Sequence, residues 1–206
     1  MALHSNTGQA RYYSFDRGLT HFVVLTAEAY DARVGPEFVS RQLEFLKADL
    51  AAVDRTQTPW VVVLVHRDWL SAPEAYVDWS PVMLAAKVDI VFCGHLHQYN
   101  RQIPYNPVTN ETDKESVSAD GATYTNARFF TTIVSGAAGN HEGNNLFNKT
   151  GDAPFPTYTG SGNYGYGLYT ALNGTHAAWT WKTVKQFKTE KANYTDSLTW
   201  VRTTAT

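Results

Sequence analysis

The sequence predicts an α/β fold in which a parallel βαβ unit is followed by largely antiparallel strands. Residues 60–66 and Ile90–Cys93 are apolar runs with the length and β-branched content of buried strands. Residues 79–87 lie between them and are typical of a short helix with Pro81 near its first turn. Later segments alternate with turn residues, which favours antiparallel pairing.

The segments before the βαβ unit predict a hairpin and a helix. Residues 10–15 and 19–26 indicate two strands joined by Asp16-Arg17-Gly18, a set of turn-forming residues. Residues 37–53 carry apolar side chains near the 3.6-residue period of an amphipathic helix. His21 lies in the second strand, and we interpret it as a packed strand histidine because a lone histidine is weak support for a ligand.

The segments after the βαβ unit predict loops and late strands. Asn173-Gly174 separates two apolar segments and suits a type I′ hairpin turn. Residues 104–120 are polar and predict an exposed loop, and the glycine-rich residues 136–167 predict a longer one. The remaining predicted strands are residues 129–134, 168–172, 176–182 and 197–202.

The composition limits the classes of partner. The 206 residues are within the range of one domain, and the formal charge of -2 suggests no field for binding a polyanion, so nucleic acid is not an expected partner. No apolar run has the length of a membrane span. Cys93 is the only cysteine, so no internal disulfide is possible.

Three histidines follow the two predicted parallel strands. His66 ends the first run, and His95 and His97 follow the second after Gly94, which we expect to allow a sharp turn where a Cβ atom would clash. The carboxyl ends of parallel strands meet at one edge of a sheet, and neutral imidazole is a common metal ligand. The sequence therefore predicts a shared metal site for His66, His95 and His97.

These motifs resemble those of a known family. The pattern V-x-x-H at residues 63–66 and G-H-x-H at 94–97, followed by Tyr99-Asn100-Arg101, resembles the calcineurin-like metallophosphoesterases and especially the purple acid phosphatases. The resemblance implies a metallophosphoesterase-like β-sandwich flanked by helices, with the family's N-terminal portion missing. It also implies that residues 10–103 form the C-terminal part of the core and residues 122–206 a C-terminal strand region. Further similar segments are residues 13–22, 42–50, 58–63 and 196–201.

The resemblance also implies a chemistry. Family members hydrolyse phosphomonoesters at a binuclear metal centre of iron with zinc, manganese or a second iron, where His66 and His95 would bind one ion and His97 the other. The family's earlier ligand motifs, G-D-x-G, G-D-x-x-Y and G-N-H-E, have no counterpart before His66. Asn100 replaces a usual glutamate and Asp68 a common proline. We therefore expect an incomplete centre and assign no catalytic residue.

The string Gly139-Asn140-His141-Glu142 matches G-N-H-E but lies after the G-H-x-H motif. The family places that motif before V-x-x-H, so the order does not suit its roles in metal binding and catalysis. We interpret the string as the end of a glycine-rich turn, because a motif counts only in its structural context.

Two functional readings remain open. The first is a metal-dependent, acid phosphatase-like phosphoric monoester hydrolase of which this chain supplies the C-terminal ligands. The second is a non-catalytic remnant, or a binding or structural module with weak metal affinity. An H-x-H amidohydrolase barrel is discounted because such barrels need about 250 residues.

Location and assembly are expectations from the same resemblance. Four N-x-[ST] sequons, at Asn110, Asn148, Asn173 and Asn193, suit a secreted or vacuolar glycoprotein, although residues 1–12 show no signal peptide. A sheet without the family's earlier strands would have an uncovered edge, so we expect self-association, which sedimentation would detect.

Overall fold

A computed structural model describes residues 10–30, 35–139, 141, 143, 157–161, 163–184 and 195–203. Two β-sheets pack face to face, and the helices α1 (Pro36–Ala52) and α2 (Pro73–Ala85) cover the outer face of the larger sheet. The strands in chain order are β1 (Tyr13–Arg17), β2 (Thr20–Val24), β3 (Trp60–Leu64), β4 (Ile90–Cys93), β5 (Tyr99–Gln102), β6 (Tyr105–Asn106), β7 (Glu111–Thr112), β8 (Thr123–Thr125), β9 (Thr131–Ser135), β10 (Thr157–Ser161), β11 (Gly165–Ala171), β12 (His176–Thr183) and β13 (Thr195–Val201).

The larger sheet has the order β1-β2-β3-β4-β9-β5-β10. Strands β2, β3, β4 and β9 are parallel, and β1, β5 and β10 are antiparallel to their neighbours. The smaller sheet has the order β11-β12-β13-β8, with only β8 parallel to its neighbour. The predicted βαβ unit and the largely antiparallel second sheet are both present.

Strand β3 shows why the central runs are apolar throughout. Val61 and Val63 pack under the helices, whereas Trp60 and Val62 point to the smaller sheet, because successive side chains alternate between faces. A strand covered on both faces needs apolar residues at every position. Aromatic side chains of the smaller sheet fill the space between the sheets, chiefly Trp179, Trp181 and Trp200.

Helix α2 corrects the prediction of a helix over residues 79–87. It begins at Pro73, so Pro81 lies inside the helix rather than near its first turn. A proline in a helix removes the hydrogen bond to the carbonyl four residues earlier, here that of Val77. Pro81 is exposed, and the Val77 side chain is 72% exposed. The interruption therefore falls on the solvent side of the helix, where water can bind the freed carbonyl.

The late hairpin is present, but its turn is not type I′. That turn needs positive φ at both central residues, and neither Asn173 nor Gly174 has one. Instead, the Asn173 side-chain oxygen accepts the backbone N–H groups of Thr175 and His176, both at 2.8 Å. The side chain therefore closes a longer loop between β11 and β12.

Two further features concern the loops and the edges. The predicted loop at 104–120 contains the short hairpin β6–β7 and a 3₁₀ turn at Lys114–Ser116. Strands β1 and β11 each lie at an edge of their sheet, and self-association through an edge stays a prediction. Over the described residues, every helix is too short or too polar to cross a lipid bilayer.

Candidate metal centre

The first two candidate ligands lie at the carboxyl ends of neighbouring parallel strands. Strands β3 and β4 pair with Val63 opposite Val91, and the Gly94 amide donates to the His66 carbonyl at 2.9 Å. The ring centroids of His66 and His95 are 5.2 Å apart, with the planes at 74°. His66 is exposed and His95 partly buried. The strand geometry therefore places these two imidazoles side by side at the surface.

The segment after β4 contains two successive tight turns. The Leu96 amide donates to the Gly94 carbonyl and the Gln98 amide to the Leu96 carbonyl, both at 2.7 Å. Each bond spans two residues, so His95 and His97 lie at the centres of three-residue turns. His95 has a φ of 58°, in the left-handed region that is uncommon for residues with a side chain.

This geometry corrects the role expected for Gly94. A Cβ atom added there would lie 3.8 Å from its nearest neighbours, which is ordinary contact, and Gly94 has no positive φ. The unusual backbone conformation falls instead on His95. Strained residues of this kind concentrate at functional sites, where the surrounding structure holds them in place.

The glycine-rich turn packs directly against the histidine segment. The Gly136 amide donates to the Gln98 carbonyl at 3.0 Å, and a Cβ atom on Gly136 would lie 2.1 Å from the Leu96 carbonyl oxygen. Only glycine allows this approach. Gly139 has a φ of 130° and His141 is exposed, while Asn140 and Glu142 lie outside the described residues. The close packing of this glycine-rich segment supports the turn interpretation.

The sequence did not predict the charged residues that lie near the imidazoles. Arg67 and Glu28 form an ion pair at 3.1 Å beside the histidines. Burial lowers the pKa of His95, as do Arg67 and His66, against the smaller opposing effects of Asp68 and Glu28. The neutral imidazole is the form that binds a metal ion. Glu28 lies 39 residues before Arg67 and carries no motif, so sequence pattern gave no signal for it.

Asp68, which replaces a common family proline, is buried. Its Oδ1 atom accepts the Ser71 amide at 3.0 Å and its backbone carbonyl accepts the Ser71 and Ala72 amides, which closes the turn before α2. Its Oδ2 atom has no hydrogen-bond partner among the described residues. Burial raises the pKa values of Tyr76 and Cys93, and the nearby Asp68 charge raises them further. The charge of the Asp68 carboxylate therefore acts on the buried Tyr76 and Cys93 as well as on His95.

These residues do not by themselves fit a two-metal centre. In the described part of the chain, no group of three or more His, Cys, Asp or Glu side chains has the geometry to hold a metal ion. His97 is not brought into a ligand set with His66 and His95, and the Glu28 carboxylate is already bonded to Arg67 and Thr26. The metal roles of the three histidines stay predictions.

Tyr99 and Arg101, which follow the histidine motif, have a structural role between the sheets. Arg101 binds Asp196 through Nε at 2.7 Å and Nη2 at 2.8 Å, and the Tyr99 hydroxyl donates to Asp196 at 2.6 Å. The Trp181 ring stacks on Tyr99 at 4.3 Å. These contacts hold β5, and with it the end of the histidine segment, against β13.

The four predicted glycosylation sites divide into two groups. Asn110 and Asn173 are exposed, and the side-chain oxygen of Asn110 accepts the Tyr105 hydroxyl at 2.6 Å. Asn148 and Asn193 lie outside the described residues.

Comparisons with known sequences agree on one family. A family model described as "Iron/zinc purple acid phosphatase-like protein C" matches residues 130–191. "Purple acid phosphatase 18" of Arabidopsis thaliana is 32% identical over 188 residues, which are 86% of this chain and 38% of that protein. "Purple acid phosphatase 22" of the same plant is 34% identical over 180 residues, 82% of this chain and 36% of that protein. The chain thus spans less than two fifths of the length of these relatives.

Solved structures show the same fold. A purple acid phosphatase, PPD1, from yellow lupin seeds matches 93% of this chain and 32% of its own, with a TM-score of 0.72 and 24% identity. GAP50 of Plasmodium matches 92% of this chain and 55% of its own, with a TM-score of 0.59 and 12% identity. The chain therefore belongs to the purple acid phosphatase family, and its sandwich has the metallophosphoesterase fold.

Proposed function

We propose that this chain contributes His66, His95 and His97 to the metal site of an acid phosphatase-like phosphoric monoester hydrolase. The observation that carries the proposal is the 5.2 Å separation of the His66 and His95 rings at the carboxyl ends of β3 and β4. Ligand sites of open α/β sheets lie at this edge. In this proposal the substrates are phosphomonoesters, and the ligands that complete the site lie outside the described residues.

The charges of the described residues are the reason why we expect no turnover of substrate by this chain alone. Neutral imidazoles carry no negative charge, and two metal cations a few ångströms apart repel strongly without an anionic ligand between them. The Glu28 carboxylate is paired with Arg67, and Asp68 is 1% exposed. The chain alone should therefore bind at most one ion, and weakly.

Calorimetric titration with Zn²⁺, after removal of metal with EDTA, tests the ligand assignment. We expect the binding heat of the 206-residue chain to be lost in His66→Ala and in His95→Ala. His176→Ala is the matched control, since that histidine begins β12 and bonds to Thr175 at 2.8 Å. Equal binding by all three variants would remove the ligand assignment.

Hydrolysis of p-nitrophenyl phosphate by the metal-loaded chain tests the incompleteness of the site. We expect negligible turnover with iron, zinc or manganese. Robust turnover that His97→Ala abolishes would show that the chain holds a complete site. If neither turnover nor histidine-dependent metal binding is found, the alternative of a non-catalytic binding or structural module takes its place.

Two subsidiary proposals concern organisation and location. We retain residues 10–103 as part of the core and 122–206 as a C-terminal strand region; β9 and β10 from the second range pair within the larger sheet, so the two ranges interleave. We also propose a secretory or vacuolar glycoprotein, which the exposure of Asn110 and Asn173 supports. Expression in a eukaryotic secretory host should give a glycosidase-sensitive mass increase, absent from the double variant Asn110→Gln/Asn173→Gln if only these sequons are used.

A further inference from the structure

A cavity of about 690 Å³ lies at the amino ends of the parallel strands, opposite the histidines. It opens between the starts of β3, β4 and β9 on one sheet and the ends of β8 and β13 on the other. Its size is within the range of small-molecule sites. Nothing in the proposed phosphatase chemistry uses this end of the molecule.

The inner walls of the cavity are apolar. Trp60 and Trp200 line it, and both indole N–H groups are satisfied elsewhere: Trp60 donates to the Asn173 carbonyl at 2.8 Å and Trp200 to the Thr131 hydroxyl at 3.0 Å. Both rings are almost fully buried, Trp60 at 1% and Trp200 at 4% exposed, so they form the floor of the cavity, and the Arg202 guanidinium covers Trp60 at 4.2 Å from the ring centre. Ala85, Ala127 and Phe129 line its more accessible part, so a ligand that fills the interior must bring an apolar body rather than hydrogen-bonding groups.

The lining of the cavity also carries an excess of positive charge. Four cations, Arg55, Lys87, Arg128 and Arg202, line it together with one carboxylate, Asp89. Both oxygens of Asp89 are occupied, since Arg202 bonds to Oδ1 and Arg55 bonds to Oδ2 at 2.9 Å. The single acid in the lining is thus neutralised by two of the arginines.

The other two cations differ in their availability to a ligand. Arg128 is paired with Glu111 at 3.2 Å and Asp113 at 3.4 Å. Lys87 is exposed and makes no ion pair within the part of the chain that the structure describes. The Lys87 ammonium group is therefore the cation best placed to meet an anionic group at the mouth of the cavity.

The backbone at Lys87 gives a way to test the side chain separately from the fold. Lys87 has a φ of 53° and follows the end of α2, with its amide bonded to the Leu84 carbonyl at 3.1 Å. Glycine is the usual residue in this left-handed position at a helix end. Lys87→Gly should therefore relieve backbone strain while it removes the charge.

We propose that this cavity binds a small amphipathic anion, with an aromatic body against this apolar lining and an anionic group at Lys87. The shared chemistry is that of an aryl sulfonate, carboxylate or phosphate. This site is separate from the histidine site and does not depend on the proposed phosphatase function. Cation and apolar wall together are needed, since either alone gives weak and unselective binding.

The test uses 8-anilinonaphthalene-1-sulfonate as the probe, titrated calorimetrically against the 206-residue chain in EDTA. N-phenyl-1-naphthylamine, which lacks the sulfonate, is the matched neutral probe. We expect saturable one-site binding of the anion. Lys87→Gln should weaken it about three- to fivefold, the effect of one exposed charge pair, and leave the neutral probe unchanged. Lys182→Gln, an exposed lysine on β12, is the control and should change neither.

Two further variants complete the test. Ala127→Trp places a ring at an exposed lining position and should abolish binding of both probes. Lys87→Gly should weaken the anion while the midpoint of thermal unfolding stays equal or rises. His66→Ala and His95→Ala should leave binding unchanged. Three results would overturn the proposal. They are binding that persists in Ala127→Trp, binding that does not saturate, and an equal loss of affinity for both probes in Lys87→Gln.

Discussion

Strand β13 is fastened to the larger sheet near both of its ends by an arginine–carboxylate pair, and the two pairs differ in burial. Near its start, Asp196, whose side chain is 10% exposed, meets Arg101, whose side chain is 1% exposed. Just after its end, Arg202 meets Asp89, and both side chains are 13–14% exposed. The first pair supports the histidine segment, and the second lines the cavity.

The surroundings of the two carboxylates differ as well. Asp196 accepts hydrogen bonds from Arg101 and from Tyr99. Burial and the Asp196 charge raise the pKa of Tyr99, so its hydroxyl stays protonated and donates. Asp89 is held by two arginines, and its Oδ2 atom also accepts the Val61 amide at 2.8 Å. Losing one arginine therefore leaves Asp196 with the Tyr99 hydroxyl and no cation but leaves Asp89 paired with a second arginine.

The two pairs show that ion pairs of the same type contribute differently to the free energy of unfolding when their surroundings differ. The two carboxylates are almost equally exposed, Asp196 at 10% and Asp89 at 13%, so the cost of losing one arginine depends on the partners that remain. The histidine end of the sandwich is thus the part most sensitive to a single substitution. The cavity end has redundant pairing and tolerates change.

The largest expected effect is at Arg101. Arg101→Met keeps most of the side-chain volume but leaves Asp196, 10% exposed, with the Tyr99 hydroxyl and no cation, and it removes the Arg101 bonds to the Gly121 carbonyl and the Tyr124 hydroxyl. We therefore expect a loss of about 3–5 kcal/mol in the free energy of unfolding. Urea unfolding measures it. Arg41→Met is the matched control, because Arg41 pairs with Glu37 on the exposed face of α1 and should change stability by under about 0.5 kcal/mol. A cost below about 1 kcal/mol at Arg101 would contradict the comparison.

A smaller effect is expected at Arg202. Arg202→Met removes one bond to Asp89 and the guanidinium that lies 4.2 Å from the centre of the Trp60 ring. Arg202 also donates to the Pro59 carbonyl. Arg55 donates both to Asp89 and to that carbonyl and stays in place, so we expect a loss of about 1–2 kcal/mol, from the two charged hydrogen bonds of Arg202 and one cation–π contact. The same urea experiment should rank it below Arg101→Met. Equal costs for the two variants would show that the partners left to each carboxylate do not separate the pairs.

The sequence predicts the strands of this comparison but not its ion pairs. Apolar runs bounded by turn residues locate β3 and β4, and parallel pairing then brings His66 beside His95 as expected. The structural role of Arg101 has no signal in the sequence, where this residue belongs only to the motif that resembles the family. Its partner is 95 residues away, and no local pattern links them.

Two local predictions are wrong for reasons that the packing explains. Pro81 is read as a helix start, yet α2 tolerates it on a solvent-facing side. Gly94 is expected to carry the unusual turn, but the positive φ falls on His95, while Gly136 is the glycine required by contact. Both outcomes depend on tertiary neighbours, which a sequence pattern does not contain. The metal roles of the histidines stay predictions.

The smallest expected effect concerns a third set of ion pairs, in which the cation is a histidine that can lose its charge. His21 on β2 lies between Asp16 at 2.6 Å and Asp49 of α1 at 2.9 Å, and the Ser14 hydroxyl also donates to Asp49. Burial alone would lower the pKa of His21, but the hydrogen bonds and charges of Asp49 and Asp16 outweigh it and raise the pKa above its ordinary value of 6.5. Arg101 and Arg202, in contrast, stay charged at every pH near this value.

The ion pairs of His21 should therefore weaken as the pH rises. A histidine whose pKa is raised by folding stabilises the protein fully below its unfolded value of 6.5, and that stabilisation is lost as the pH increases through the folded pKa. The difference in unfolding free energy between the wild type and His21→Gln should shrink across this window, by less than the Arg202→Met effect because Asp16 is 63% exposed. NMR titration of the imidazole should give a midpoint above 6.5 that Asp49→Asn lowers. A midpoint at or below 6.5 in the wild type would mean that the two carboxylates do not hold a charged imidazole, and β2 would then be joined to α1 by packing rather than by charge.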